Sequence, residues 1–465
     1  MKRKLTLLLA TIVALNSTVI VSAAAVAPGS EDSESVVINL LKSDVTTTSG
    51  GAIDGGDNTS GGAIDGGDNT SGGAIDSDDD DDDDDNSSNN GSSSNKTEDD
   101  DEDDDVVQTV FDVVGKVDEN GKYVVSIEDK GKDYGFNNSA NDIVINVKDV
   151  PADASVVSVN LPTDVVKELN NASATSSVKI NVENFGSVTL GKGVVSQLAK
   201  SSVDEVNVTL SKTEDSFVIA ISDENGLITG IKDGVKVAIP VLSAGDVLVV
   251  VDEFGNETIV KKSLIENGTA YALLNGSCEL KVINNAKEFG DVSDGSWYNS
   301  SVDFVSSHEL FEGVSQGVFA PNENMSRAML ATVLMRLDDG NSGTSSFDDV
   351  PSNAWYANSV GWAANAGVIN GTGDGNFRPN DDITREQLAV MMYNYTNYAG
   401  LDTSGYGSSS FSDSSDISFW ATDAMDWAVS NGILQGNNNN LNPKDNATRA
   451  EVAAVVERFI SFMVK

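Results

Sequence analysis

Three arginines recur at the same place in a repeated segment near the end of the chain. Each follows a proline by six residues and an aspartate by 36 residues, directly after a serine or threonine. A guanidinium presents a planar fork of donors that matches a carboxylate. The three arginines are Arg327, Arg385 and Arg449. The pattern therefore predicts three sites suited to an acidic ligand.

Each arginine is predicted to be the first residue of a helix. Thr384 is followed three residues later by Gln387, and Thr448 by Glu451, which is the pattern of a capping box. The first repeat has Met329 at that position, so its box is half missing. A helix start offers free backbone N–H groups and the positive end of the helix dipole, and both favour an anion.

All five tryptophans of the chain lie in the same repeated segment. Trp362 and Trp427 fall on the apolar face of a predicted helix, so we expect them in the core. Trp297, Trp355 and Trp420 stand at the start of that helix. These three are candidates for the wall of a sugar-binding groove.

The complete repeat opens with Phe-x-Asp, continues with an aromatic pair at the predicted helix start, a glycine and a proline, and closes with the arginine motif. The clearest copy runs Phe347-x-Asp349-Val350, Trp355-Tyr356, Gly371, Pro379 and Thr384-Arg385-Glu386. This pattern resembles the S-layer homology (SLH) domain, whose signature closes with Thr-Arg-Ala-Glu. The resemblance covers three units, at residues 287–337, 345–399 and 409–465.

The resemblance implies a triplet that binds a secondary cell-wall polysaccharide, commonly one ending in pyruvylated N-acetylmannosamine. The pyruvyl ketal supplies the carboxylate, and grooves between the three prongs of a spindle hold the sugar. The implied binding residues are Arg385, Arg449, Arg327, Trp355, Trp420, Trp297, Asp349, Asp413, Asp291, Asn370 and Gln435.

Two points qualify these sites. Each arginine has a structural alternative, an ion pair with the aspartate of its own unit. The loop of the first unit also carries Glu312, where the other two units have Asn370 and Gln435. A carboxylate repels an anionic ligand, so Arg385 and Arg449 are expected to contribute more than Arg327.

The N-terminal region predicts export. Three basic residues precede an apolar run and Ala23-Ala24-Ala25, so residues 1–25 are predicted to be a signal peptide. Residues 26–105 are predicted to be an acidic, low-complexity linker with 11-residue repeats. The alternative is a calcium-binding roll, because Gly-Gly-x-x-Asp patterns line such turns.

Residues 106–285 are rich in Val and Ile runs and predict a β-rich domain. Asn-Gly turns at Asp118–Gly121 and Asp223–Gly226 predict two hairpins. Two helical stretches are expected, at Thr163–Leu169 and Val194–Leu198. No motif in this region points to a chemistry.

Composition excludes several functions. The formal net charge is -44, which argues against nucleic acid as a partner, because no basic surface is available to displace counterions. One cysteine, Cys278, and one histidine, His308, allow no Cys/His zinc cluster. A Ser-His-Asp site would have to use His308, and a two-carboxylate mechanism stays open, although with 73 acidic residues such pairs arise by chance. We expect no enzyme, no metal and no cofactor, and no membrane span after signal cleavage.

The predicted fold is multidomain. It comprises a disordered acidic arm, a sandwich-like β-rich middle domain with two short helices, and an all-α SLH triplet in a pseudo-threefold arrangement. The predicted function is non-covalent anchoring to the wall of a Gram-positive bacterium, as a secreted S-layer or S-layer-associated protein. Other S-layer subunits are a further candidate partner. The alternatives are a surface scaffold with a cohesin-like β domain and an exported glycan-active enzyme.

Overall fold

The computed structural model describes residues 107–127, 141–172, 176–231, 234–408 and 410–465. The predicted signal peptide at 1–25 and the acidic linker at 26–105 lie outside these residues, as does the alternative calcium-binding roll. The described chain forms a β module up to Ile283 and a triplet of helix–loop–helix units after it.

The β module contains two mixed sheets. The strands of the seven-stranded sheet are β1 (Val107–Val114), β4 (Asn141–Lys148), β6 (Ser176–Val182), β7 (Gly186–Leu190), β11 (Val235–Pro240), β14 (Ser263–Glu266) and β15 (Thr269–Leu274). Their order across the sheet is β1-β4-β6-β7-β11-β15-β14. The pairs β1–β4 and β4–β6 are parallel, and the remaining pairs of this sheet are antiparallel.

The nine-stranded sheet has the order β13-β12-β16-β9-β8-β5-β3-β2, with β10 paired to β9. Its strands are β2 (Lys116–Val117), β3 (Tyr123–Ser126), β5 (Val156–Pro162), β8 (Glu205–Lys212), β9 (Phe217–Asp223), β10 (Gly226–Leu227), β12 (Val247–Val251), β13 (Glu257–Ile259) and β16 (Cys278–Ile283). The turns at Asp118–Gly121 and Asp223–Gly226 join β2 to β3 and β9 to β10 as antiparallel hairpins. The two predicted hairpins are therefore present.

Both sheets and two helices contribute to one apolar core. The helices are α1 (Thr163–Ala172) and α2 (Lys192–Ala199). Val and Ile dominate the buried strand positions because β-branched side chains pack well on a pleated surface. Each predicted helix is present and extends beyond its predicted bounds.

The triplet contains two helices in each unit. They are α3 (Asn299–Ser307) and α4 (Arg327–Leu337) in unit 1, α5 (Ala357–Asn365) and α6 (Arg385–Tyr398) in unit 2, and α7 (Thr422–Ser430) and α8 (Arg449–Val464) in unit 3. Unit 3 also has short 3-10 turns at Ser414–Asp416 and Phe419–Ala421. Within the described ranges, no helix is long and apolar enough to cross a membrane.

The prediction of an all-α triplet is wrong. The residues that lead into each second helix form β-bridges with a neighbouring unit, namely Asn324 with Thr448, Ser326 with Asp382, and Thr384 with Asn446. These segments resemble irregular loops in sequence because each has only one or two bridging residues. Their partners lie in another unit, so periodicity along the chain does not reveal the pairing.

A ring of backbone hydrogen bonds closes the triplet. Met325 N–H donates to the carbonyl of Ala447 at 2.9 Å, Ala447 N–H to Ile383 at 2.9 Å, and Ile383 N–H to Met325 at 2.8 Å. All three residues are buried. Because each unit donates to one neighbour and accepts from the other, the three units form a closed cycle.

The β module packs directly against the triplet. Leu273 of β15 belongs to the apolar core of the triplet. Lys262 lies 3.5 Å from the carboxylate of Asp338 at the end of α4, and both side chains are buried. The buried contacts join the module and the triplet into one body.

Candidate functional site

The second helix of each unit begins at its arginine, as predicted. The Thr384 hydroxyl accepts the N–H of Gln387, whose side chain accepts the N–H of Thr384 in return. Thr448 and Glu451 form the same capping box. Ser326 accepts the N–H of Met329 and has no reciprocal acid or amide. The helix starts are therefore fixed as the sequence predicts.

The side chain of each arginine reaches into the loop of the next unit. In every case Nε and Nη2 donate to two backbone carbonyls of that loop. Arg327 donates to Phe377 at 2.9 Å and Asn370 at 3.3 Å, Arg385 to Leu441 at 2.7 Å and Gln435 at 2.8 Å, and Arg449 to Phe319 at 2.8 Å and Glu312 at 2.8 Å. The arginines therefore join units 1 to 2, 2 to 3 and 3 to 1.

This geometry changes what the arginines can do. Burial lowers the pKa of all three guanidinium groups below the usual value, although nearby carboxylates oppose the shift. The aspartate near each arginine belongs to the neighbouring unit, as with Arg385 and Asp413. The alternative of an ion pair within one unit therefore does not describe the structure. Two of the three nitrogens of each guanidinium, Nε and Nη2, donate to carbonyls of the neighbouring loop.

The motif aspartates hold the same loops from the other side. Asp349 accepts the N–H groups of Phe377 at 2.8 Å and Arg378 at 2.7 Å. Asp291 and Asp413 accept equivalent pairs in their own units. For these two, burial opposes ionisation, but the backbone donors keep the pKa below its usual value. None of the three aspartates lines the grooves described next.

A groove with a mainly apolar wall lies at unit 2, and all three units build it. We call it the unit 2 groove; its cavity measures about 530 Å³. Its lining comprises Arg327 of unit 1, residues 368–373 together with Gln387, Val390, Met391 and Asn394 of unit 2, and Trp420 of unit 3. The lining includes one arginine and three residues with amide side chains, Asn370, Gln387 and Asn394, and it includes no acidic residue.

A second groove, the unit 3 groove, has the same plan. Its cavity of about 360 Å³ is lined by Arg385 of unit 2, Trp297 of unit 1 and the Gln435 loop of unit 3. Glu451 and Asp445 also line it, together with Arg458. Two cations and two carboxylates therefore face the unit 3 groove, and their charges cancel.

At unit 1 the corresponding loop is occupied by an internal ion pair. Arg336 Nη2 donates to Glu312 at 2.7 Å, and its Nη1 donates to the carbonyl of Leu310 at 3.0 Å. The cavity beside this loop measures about 670 Å³, and its lining also includes Lys261 of the β module, Lys287 and Glu309. The sequence predicts that Arg449 pairs with the neutral Gln435 loop of its own unit. In the structure Arg449 donates to the backbone carbonyl of Glu312 in unit 1, so that pairing is wrong.

The tryptophans divide as the sequence indicates. Trp362 and Trp427 are buried in the triplet core. Trp297, Trp355 and Trp420 are 64%, 63% and 57% exposed. Trp420 and Trp297 line the unit 2 and unit 3 grooves respectively. Trp355 is exposed but lines neither of these two grooves.

A glycine shapes each groove loop. A Cβ on Gly371 would lie 2.7 Å from both the Phe347 ring and the carbonyl of Asn376. A Cβ on Gly313 or Gly436 would likewise clash with the equivalent ring, Phe289 or Phe411. The opening phenylalanine of each unit thus packs where only a hydrogen can fit.

Sequence reasoning missed the polar position nine residues after each motif arginine. It is occupied by Arg336, Asn394 and Arg458, each of which donates to a carbonyl of its own unit's loop. Asn394 and Arg458 also line their grooves. Nine residues are two and a half helical turns, and the shared spacing was the signal available in the sequence.

The single histidine and cysteine lie away from the grooves. His308 Nε2 lies 3.3 Å from the Ser263 hydroxyl, and its Nδ1 lies 2.8 Å from the carbonyl of Phe304. Both His308 and Ser263 are buried. Burial raises the pKa of the Cys278 thiol to about 12. These groups support the interior rather than a reaction at the surface.

Comparison with known proteins identifies the repeats. The S-layer homology domain profile matches residues 288–329, 346–389 and 410–453. The chain is similar to an amylopullulanase of Thermoanaerobacterium thermosulfurigenes, with 29% identity over 372 residues that cover 74% of this chain and 19% of the relative. The surface-layer 125 kDa protein of Lysinibacillus sphaericus is 31% identical over 157 residues, covering 32% and 13%. The S-layer protein sap of Bacillus anthracis is 28% identical over 196 residues, covering 41% and 23%.

The chain spans less than a quarter of the length of each of these relatives. The match to the amylopullulanase is nevertheless longer than the triplet, so it includes sequence before residue 287. SLH domains and S-layer relatives indicate a bacterial protein associated with the cell wall at the cell surface. The C-terminal part of this chain therefore carries three S-layer homology domains.

Proposed function

We propose that the triplet anchors this protein to the wall by binding an anionic secondary polysaccharide, with the unit 2 groove as the principal site. The observation that carries the proposal is the charge of that groove. It offers a guanidinium, three amide side chains and an exposed indole, and no carboxylate lines it. A pyruvylated sugar has the matching chemistry, an acidic group on a ring with polar edges and an apolar face.

The relative strength of the grooves follows from their lining. In the unit 3 groove, Glu451 and Asp445 oppose the two arginines, so an acidic sugar gains less there. At unit 1, Glu312 already pairs with Arg336. We therefore place the acidic residue of the polysaccharide in the unit 2 groove. Two grooves on one rigid triplet further raise the strength of attachment by multivalency.

We further propose a structural and non-enzymatic role, as an S-layer or S-layer-associated protein. The similarity to two surface-layer proteins supports this role. The β module then serves as a spacer that is held firmly on the triplet by the Lys262–Asp338 contact.

The alternative of a wall-tethered, glycan-active enzyme has one observation in its favour. The amylopullulanase match extends beyond the triplet into the β module. The shared segment is 19% of that relative, so it is compatible with a common surface-attachment region. Incubating the full chain with starch, xylan and purified wall polysaccharide, and measuring reducing ends, separates the two roles.

The binding proposal is tested by co-sedimentation of the full chain with wall sacculi. Binding is expected to sacculi that retain their polysaccharide and not to sacculi stripped of it by acid. Equal binding to both preparations would contradict the proposal. Asn370→Glu places a carboxylate in the unit 2 groove and should weaken binding about tenfold or more. The matched change Gln435→Glu should have a smaller effect, because two carboxylates already line the unit 3 groove.

A further inference from the structure

A buried carboxylate lies behind the aromatic wall of the unit 2 groove. Glu386 is the second residue of α6 and is 3% exposed. The equivalent residues of units 1 and 3 are Ala328 and Ala450. A buried carboxylate is costly unless charged or polar groups surround it. The acid in unit 2 therefore requires a partner that the other two units do not need.

The partners of Glu386 come from unit 3. Ser418 donates its N–H at 2.9 Å and its hydroxyl at 3.1 Å. Lys444 Nζ donates to both carboxylate oxygens, at 2.7 and 2.9 Å, and also contacts the Ser418 hydroxyl. The carboxylate thus receives donors on both oxygens, all from one neighbouring unit.

These contacts converge on Trp420. Ser418 is the residue before the 3-10 turn Phe419–Ala421 that carries the Trp420 ring. Lys444 Nζ lies 6.0 Å from the centroid of that ring. Trp420 is 57% exposed, so packing alone does not fix its position. The ion pair holds the turn from behind while the ring faces the groove.

The other two interfaces cannot build this network from their own residues. The counterparts of Ser418 are Gly295 and Asn353, and those of Lys444 are Asn322 and Asn380. Neither set contains a cation opposite an acid. The network is therefore a property of the unit 2–unit 3 interface and of the groove that this interface borders.

We propose that Glu386 and Lys444 are positioning residues that fix Trp420 as the wall of the unit 2 groove and make that groove the strongest sugar site. The proposal rests on the proposed function of the groove. Trp420 then needs no ordering when the ligand binds, and ordering a side chain at a binding surface opposes association. The ligand class is a sugar that stacks its apolar face on Trp420 and directs its acidic group to the amide-rich end.

The binding test uses the full chain and sacculi that retain polysaccharide. Glu386→Ala, which copies units 1 and 3, and Lys444→Met should each weaken binding about three- to tenfold. The double variant should bind no more weakly than either single variant, because both remove the same support. Lys444→Arg keeps the cation and should retain most of the affinity. Lys281→Met, which removes the surface pair with Asp215, is the control and should bind normally.

A second readout separates positioning from general damage. In a background with Trp297→Phe and Trp355→Phe, Trp420 is the one strongly exposed tryptophan of the described chain. Glu386→Gln and Lys444→Met should speed the local component of its fluorescence anisotropy decay. Far-UV circular dichroism should stay native. A folded variant with unchanged ring motion would mean that the pair does not hold Trp420.

The outcomes distinguish the two proposals. If the unsubstituted chain binds sacculi and the Glu386 and Lys444 variants bind equally well, the positioning role is overturned while the proposed function stands. If the unsubstituted chain does not bind, the proposed function fails, and the sugar-recognition role of Trp420 fails with it. Weaker binding together with faster motion of Trp420 supports both proposals.

Discussion

Arg327 of unit 1 donates to the backbone carbonyl of Asn370 in unit 2 at 3.3 Å. The contact places the arginine of one repeat behind the groove loop of the next. The equivalent hydrogen bonds join Arg385 to the carbonyl of Gln435 and Arg449 to the carbonyl of Glu312. A groove is thus never the property of a single repeat, and three repeats in one chain complete the cycle.

The first prediction concerns the structural role of the arginines. Arg327→Ala should lower the free energy of unfolding by about 3 kcal/mol, because it removes charge-assisted bonds to two loop carbonyls. Chemical denaturation of the full chain measures this change. Arg378→Ala removes an exposed pair with Asp374 and should cost less than about 1 kcal/mol. Similar losses for the two variants would show that Arg327 does not hold the loop.

Much of the local structure could be predicted from the sequence. The capping boxes at Thr384 and Thr448, the helix starts and the division between buried and exposed tryptophans depend on neighbours along the chain. The partner of each arginine could not be predicted in this way. In sequence, Arg385 is 15 residues from Asn370 and 50 from Gln435, yet it bonds the Gln435 loop. Proximity along the chain favours the wrong assignment.

The error about the all-α triplet has the same origin. Periodicity identifies helices because their hydrogen bonds are local. The bridge between Thr384 and Asn446 joins residues of different units, and it contributes no alternating pattern. The mixed sheets of the β module likewise depend on long-range pairing, as in the parallel register of Val107 with Asn141. The periodicity of apolar residues along the chain therefore did not predict which distant backbone segments pair.

The second prediction concerns the glycine of the unit 2 groove. Gly371→Ala places a methyl group against the Phe347 ring and the carbonyl of Asn376, so the loop must move. Stability should fall by about 1–3 kcal/mol, and wall binding should weaken as the Asn370 backbone shifts. Gly193→Ala, at an open helical position, is the control and should stabilise the protein by about 0.5–1 kcal/mol. Normal binding by Gly371→Ala would show that the loop accommodates a methyl group.

The third prediction concerns pH and the boundary between the β module and unit 1. Burial lowers the pKa of His308, although the Phe304 carbonyl, Ser263 and the charge of Asp246 favour its protonated form. The unfolded chain therefore binds a proton at a higher pH than the folded chain does. This contribution to stability is complete above pH ~6.5 and is lost as the pH falls below it, by up to about 1.4 kcal/mol per pH unit.

His308→Gln removes the titrating group and should flatten this part of the profile. The comparison is the difference in unfolding free energy between the two proteins from pH 7.5 to 5.5. Carboxyl groups contribute equally to both proteins and cancel in the difference. A difference that does not change with pH would mean that His308 keeps its ordinary pKa on folding.

The last prediction concerns the buried contact between the β module and the triplet. Asp338 lies 3.5 Å from Lys262 Nζ and accepts hydroxyl bonds from Tyr395 at 3.4 Å and Tyr398 at 3.2 Å. One carboxylate thus connects the β module, the end of α4 and helix α6. Asp338→Ala removes this anion from beside a buried ammonium, which costs about 3–5 kcal/mol.

The expected result is a large loss of unfolding free energy and faster hydrogen exchange in both β14 and α6. Lys262→Met combined with Asp338→Asn should cost less than Asp338→Ala alone, because the double variant leaves no buried charge at this position. Asp215→Ala breaks a solvent-exposed pair with Lys281 and should cost less than about 1 kcal/mol. If Asp338→Ala loses no more than Asp215→Ala, the module is held on the triplet by apolar packing around Leu273 instead. Faster exchange confined to β14 would show that the carboxylate does not connect the module to α6.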